Sequence, residues 1–65
     1  MRVTEVRKVV KDNGLNLTVR GRTNGMVYVE LTENTNDIAT LDELLNGYGY
    51  ELQKRYTGFY LNPKA

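Results

Sequence analysis

One pattern is written twice in this chain, and it leaves few folds open. An apolar stripe of helical spacing runs into a glycine, an alternating strand follows, and a second glycine breaks that strand into a hairpin. In the first copy Val6, Val9 and Val10 fall at i, i+3 and i+4, with Val3 one turn earlier, the spacing of a helix that buries one face. Leu41, Leu44 and Leu45 repeat it 35 residues later. Gly14, Arg22 and Gly25 recur as Gly47, Arg55 and Gly58, 33 residues on, so a two-residue slip between helix and strand relates the copies. The halves, 1–33 and 38–62, are each too small to bury a core alone. The pattern therefore predicts one α+β domain over residues 1–65, of order αββαββ. Two helix–hairpin units form a four-stranded antiparallel sheet with both helices on one face.

Local signals place the elements. Thr4 to Asn13 reads as the first helix, with Thr4 as its cap and Asn13-Gly14 as a left-handed stop. Valines are poor helix formers, so tertiary packing must hold this helix. Leu15, Leu17 and Val19 alternate with polar residues, as do Val27, Val29 and Leu31. Both sets share a face only if the loop is the three-residue Thr23-Asn24-Gly25, with Gly25 in the left-handed bulge position. Glu33 to Thr40 reads as a polar connector. Thr40-Leu41-Asp42-Glu43 fits a capping box at the start of a short second helix, and Gly47 stops it. Tyr48 to Tyr56 and Phe59 to Leu61 form the second hairpin, and Pro63 ends regular structure. Its register stays open. A two-residue Thr57-Gly58 turn puts Tyr48, Tyr50, Leu52, Phe59 and Leu61 inward and Tyr60 outward, whereas a three-residue turn sends Phe59 and Leu61 out. Arg55 faces out in both cases. Leu17 and Leu44 count as core positions.

Composition narrows the chemistry. The chain has no cysteine and no histidine, which removes disulfides, thiolate metal sites and the commonest general base. It has no serine, no phosphate-binding loop and no dinucleotide fingerprint. Asp42-Glu43 is a carboxylate pair, and the capping role accounts for Glu43. The expectation is a protein without catalytic activity, metal or cofactor. Nine basic residues stand against eight acidic ones, a balance that argues against a non-specific nucleic-acid binder and leaves a specific one open, since charge can be segregated on the surface. No stretch approaches the ~20 apolar residues of a membrane span. Met1 to Val10 has no apolar signal-peptide core, so cytoplasmic residence is the expectation.

The order helix, Asn13-Gly14, two strands resembles the opening of the small toxin ribonucleases of the HicA kind, over the first 30 residues. That family places a catalytic histidine after the first strand. This chain has Arg20-Gly21-Arg22 there, so the activity is not carried over.

What remains is a surface. The sheet face away from the helices carries Arg20, Arg22, Met26, Tyr28 and Glu30 from the first hairpin, with Glu51 and Arg55 from the second. Tyr60 joins them under the two-residue turn. Arginine, tyrosine and methionine are enriched at protein interfaces. We therefore take Arg20, Arg22, Met26, Tyr28, Arg55 and Tyr60 as the partner-binding residues. The expected role is that of a small inhibitor or accessory protein, such as a phage or other mobile element encodes, occupying the surface of a larger protein. The alternative is a DNA- or RNA-binding module using the same face, since β-ribbon readers exist. A third reading is a homo-oligomer that pairs open faces or edge strands. Glu30 and Glu51 on the face favour a protein partner over phosphates.

Overall fold

In the computed structural model, which describes residues 1–64, the six elements follow the expected order. They are α1 (Val3–Asp12), β1 (Val19–Gly21), β2 (Val27–Glu30), α2 (Thr35–Asn46), β3 (Tyr50–Arg55) and β4 (Gly58–Pro63). Val6 and Val10 are buried on one side of α1, with Val3 and Val9 beside them. The helix starts one residue earlier than Thr4 suggested. Arg2 is its cap, and the Arg2 backbone N–H donates to Glu5 Oε1 at 2.8 Å. Its end is as expected: Gly14 is left-handed at φ 63°, and the Leu15 N–H donates back to the Val10 carbonyl at 3.0 Å.

The first hairpin has the three-residue loop. Arg22 N–H donates to the Met26 carbonyl at 2.8 Å, and Gly25 closes the loop at φ +85°. Val19, Val27 and Val29 are accordingly buried together. The ladder is shorter than the alternation implied. Leu15 and Leu17 pack on the core only partly buried, and Leu31 is 50% exposed because pairing ends at Glu30 and the chain turns away toward α2.

The second helix begins earlier than the sequence reading placed it. Asn34, not Thr40, is its cap, and Asn34 Oδ1 accepts from the Asp37 N–H at 3.3 Å. Asp37 Oδ2 in turn accepts from Asn34 Nδ2 and from the Asn16 N–H, each at 2.8 Å, tying the helix start to the chain after α1. Thr40 lies inside the helix and donates to the Asn36 carbonyl at 3.0 Å. The extra turn adds Ile38 to Leu41 and Leu45 on the buried stripe, and Leu44 falls to its half-buried flank. Gly47 keeps helical dihedrals, and the left-handed residue is Gly49, at φ 85°. Tyr48 is 61% exposed rather than core.

The second hairpin turns at Tyr56-Thr57, since Arg55 pairs with Gly58. This is a two-residue turn one position before the Thr57-Gly58 that the sequence suggested, and it has the same facial outcome. Leu52, Phe59 and Leu61 face the helices, and Tyr60 faces away. Pro63 is the last residue of β4 rather than a residue beyond it.

The sheet order is β1-β2-β4-β3, all antiparallel, with Tyr28 opposite Tyr60 where the two hairpins meet. Both helices cover one face, and Val6, Val10, Ile38, Leu41 and Leu45 close over Val19, Val27, Val29 and Leu61. Each edge strand is stoppered by a helix side chain. On β1 the Val19 carbonyl accepts from Arg7 Nε and Nη2 at 3.1 and 3.0 Å. On β3 the Leu52 N–H donates to Asp42 Oδ1 at 2.8 Å. These backbone groups point out of the sheet, where a second chain would otherwise pair. No helix among the described residues is long and apolar enough to cross a membrane.

Candidate functional site

Strand register lays the open face out in three rows. Thr18, Glu30, Gly58 and Arg55 form one, Arg20, Tyr28, Tyr60 and Gln53 the next, and Arg22, Met26, Asn62 and Glu51 the last. The middle row holds the aromatic centre. Tyr28 and Tyr60 stack across β2 and β4 with ring centroids 5.1 Å apart and planes 17° from parallel. Arg22 reaches diagonally over both, its guanidinium carbon 5.9 Å from each centroid. Arg22 Nη1 also donates to the Tyr60 hydroxyl at 2.8 Å, and that hydroxyl lies 2.7 Å from Thr57 Oγ1. Tyr60 thus faces away from the helices yet is only 7% exposed.

Gly58 makes this packing possible. A Cβ there would collide with the Val29 carbonyl oxygen and come within 2.9 Å of Tyr28 Cδ2. Gly58 opens β4 rather than forming the turn. It is bare so that β2 can approach and the Tyr28 ring can lie against the sheet.

Around this centre the face is hollowed into a cleft of about 460 Å³, lined by Arg22, Asn24, Met26, Arg55, Tyr56, Thr57, Tyr60 and Asn62. Four of the six residues expected from sequence, Arg22, Met26, Arg55 and Tyr60, meet there. Tyr28 stands beside it, braced against Tyr60. Arg20 lies apart, with its Nε on Glu30 Oε1 at 2.8 Å. That hydrogen bond and the Glu30 charge raise the Arg20 pKa and hold it cationic. Asn24, Tyr56, Thr57 and Asn62 escaped the sequence reading. Asn62 was legible from strand parity once β4 was extended past Leu61. The others sit at hairpin tips, and nothing local indicates that a tip leans over a face. Tyr56 is 98% exposed, a large aromatic held in water at the rim.

The lining offers hydrogen-bond donors, one thioether and aromatic surface, and contains no carboxylate. No known protein family, curated protein or solved structure matches this chain.

Proposed function

We propose that this protein is a non-enzymatic binding module that acts by laying its open sheet face against a larger protein, as an inhibitor or accessory subunit. The observation that carries the reading is the cleft of Arg22, Met26, Arg55 and Tyr60 with Tyr56 projecting at its rim. Aromatic and arginine anchors in a central pocket are what binding hot spots are made of. The stack of Arg22 on Tyr28 and Tyr60 sets the Arg22 side chain before any partner arrives, which lowers the ordering cost of association.

The nucleic-acid reading has one observation in its favour: the cleft is cationic and free of carboxylates. It is the weaker reading because backbone binders commonly neutralise about 6–10 phosphates, whereas Arg20 is paired to Glu30, which leaves Arg22 and Arg55 as the face's unpaired arginines. Pairing of edge strands into a homo-oligomer is opposed at one outward backbone group on each edge, the Val19 carbonyl held by Arg7 and the Leu52 N–H held by Asp42.

The test is recovery from a nuclease-treated host lysate with the tagged protein and with its Tyr56→Ala and Lys8→Ala forms. A protein retained by wild type and Lys8→Ala but lost with Tyr56→Ala is the expected result. Recovery only without nuclease, or sub-micromolar binding of mixed-sequence DNA or RNA at physiological salt, would overturn it.

A further inference from the structure

Building on the open face as a protein-docking surface, we infer that the cleft receives a short acidic segment of the partner, whose side-chain carboxylates accept hydrogen bonds from Arg22, Arg55 and the Thr57 hydroxyl. The charged groups of the lining and their unspent donors point to an anion. Arg22 has only donors, so the Tyr60 oxygen accepts from it. The Tyr60 hydroxyl and Thr57 Oγ1 lie 2.7 Å apart and either can donate to the other, so one hydroxyl proton of the pair is left for a ligand in the cleft. Asn24 Oδ1 already accepts from the Met26 N–H at 3.0 Å, so its free group is the amide NH₂. Arg55 gives one N–H to Gln53 Oε1 at 3.1 Å and keeps its remaining donors. Among the described residues the ion pairs are Lys8–Asp12 and Arg20–Glu30, and neither involves Arg22 or Arg55. Two unneutralised guanidiniums in a lining without carboxylates complement an occupant rich in anionic acceptors.

The occupant is also short. Glu30 shares its row with Arg55, and Glu51 shares its row with Arg22, Met26 and Asn62, yet neither carboxylate lines the cleft. A polyanion running across the face meets both carboxylates, whereas a few residues seated within about 460 Å³ meet neither. Met26 and Tyr56 supply apolar contact for the uncharged part of such a segment. A peptide bearing Asp or Glu beside an apolar residue satisfies all of these conditions, and a nucleic-acid strand does not.

The test uses the whole protein and a displayed library of random dodecapeptides. Recovered peptides are synthesised with both termini blocked, so that only side-chain carboxylates are scored. We expect them to be enriched in Asp and Glu over the starting library. Arg55→Gln should weaken their binding tenfold or more, equivalent to about 1.4 kcal/mol. Thr57→Val should weaken it less, and Lys8→Gln on the helix side should leave it unchanged. Arg55 is exposed and outside the core, so its variant keeps the fold, which its thermal melt verifies. Arg22 is left intact because it braces both tyrosines. Peptides without acidic enrichment that still lose binding in Tyr56→Ala would overturn the inference and leave the docking face standing. Peptides indifferent to every cleft variant would overturn both. Displacement of the acidic peptides by single-stranded or duplex nucleic acid at physiological salt would assign the cleft to phosphates instead.

Discussion

Gly58 shows how one residue links the fold to the site. Its missing side chain admits the Val29 carbonyl and the Tyr28 ring at once. Gly58→Ala must therefore push backbone apart, and we expect a loss of about 1–3 kcal/mol, the usual cost of overpacking. Gly25 has open space around it, so Gly25→Ala meets only the strain of a left-handed φ, about 1 kcal/mol. Urea melts of the two variants rank them, and a Gly58→Ala midpoint at or above that of Gly25→Ala would mean that β2 and β4 part at no more than the cost of one left-handed alanine. Tyr60→Phe removes the hydroxyl that joins Arg22 to Thr57 while keeping the ring stack, and should cost about 1–2 kcal/mol. The sequence showed that Tyr60 belongs to the face opposite the helices under one of two registers. It did not show that Tyr60 is buried there, because its cover comes from Arg22 and Tyr28 on other strands. Nor did it distinguish a turn glycine from one cleared for a neighbouring strand.

At the scale of elements, the start of α2 was the main misreading, and it has a physical cause. Asn34 with Asp37 and Thr40 with Glu43 are both capping signals at the same spacing. Local chemistry does not rank them. The choice falls to Asn34 because the longer helix buries Ile38 and because Asp37 can also hold the Asn16 N–H. Asn34→Ala should thus destabilise by about 1 kcal/mol and Thr40→Ala by little, a contrast that thermal melts will report and that reverses if the helix starts at Thr40. The edges supply a second prediction. Asp42→Ala frees the Leu52 N–H on β3, and its hydrogen exchange should accelerate at least about tenfold. Asp42→Asn keeps an acceptor oxygen and should retain most of the protection. If Leu52 exchanges as slowly in Asp42→Ala as in wild type, Asp42 does not guard the edge.

At the scale of the whole molecule, stability rests on a thin core. Leu41 and Leu45 are fully buried, with Val6 and Val29 next. Truncating Leu41 or Leu45 to alanine should cost about 2–5 kcal/mol, against a total of about 5 kcal/mol for so small a domain. Either variant should be largely unfolded at 37 °C by circular dichroism. Leu17 and Leu44, expected as core from their periodicity, are only partly buried and should cost less. A Leu41→Ala protein that melts cooperatively at the wild-type temperature would refute this core. Sequence alone determined the order of elements, the first hairpin's loop and the inward facing of Val19, Val27 and Val29. These follow from short-range rules: a period of 3.6 or 2, and a glycine where φ must be positive. It also named four of the cleft's residues, because parity decides which face a side chain takes. The tertiary structure alone decided that β2 pairs with β4, that Arg20 is drawn to Glu30 while Arg22 lies over two tyrosines, and that the Tyr56-Thr57 tip leans over the face. These depend on contacts between residues far apart in the chain. Sheet twist and the packing of two hairpins select such contacts, and no local pattern encodes them.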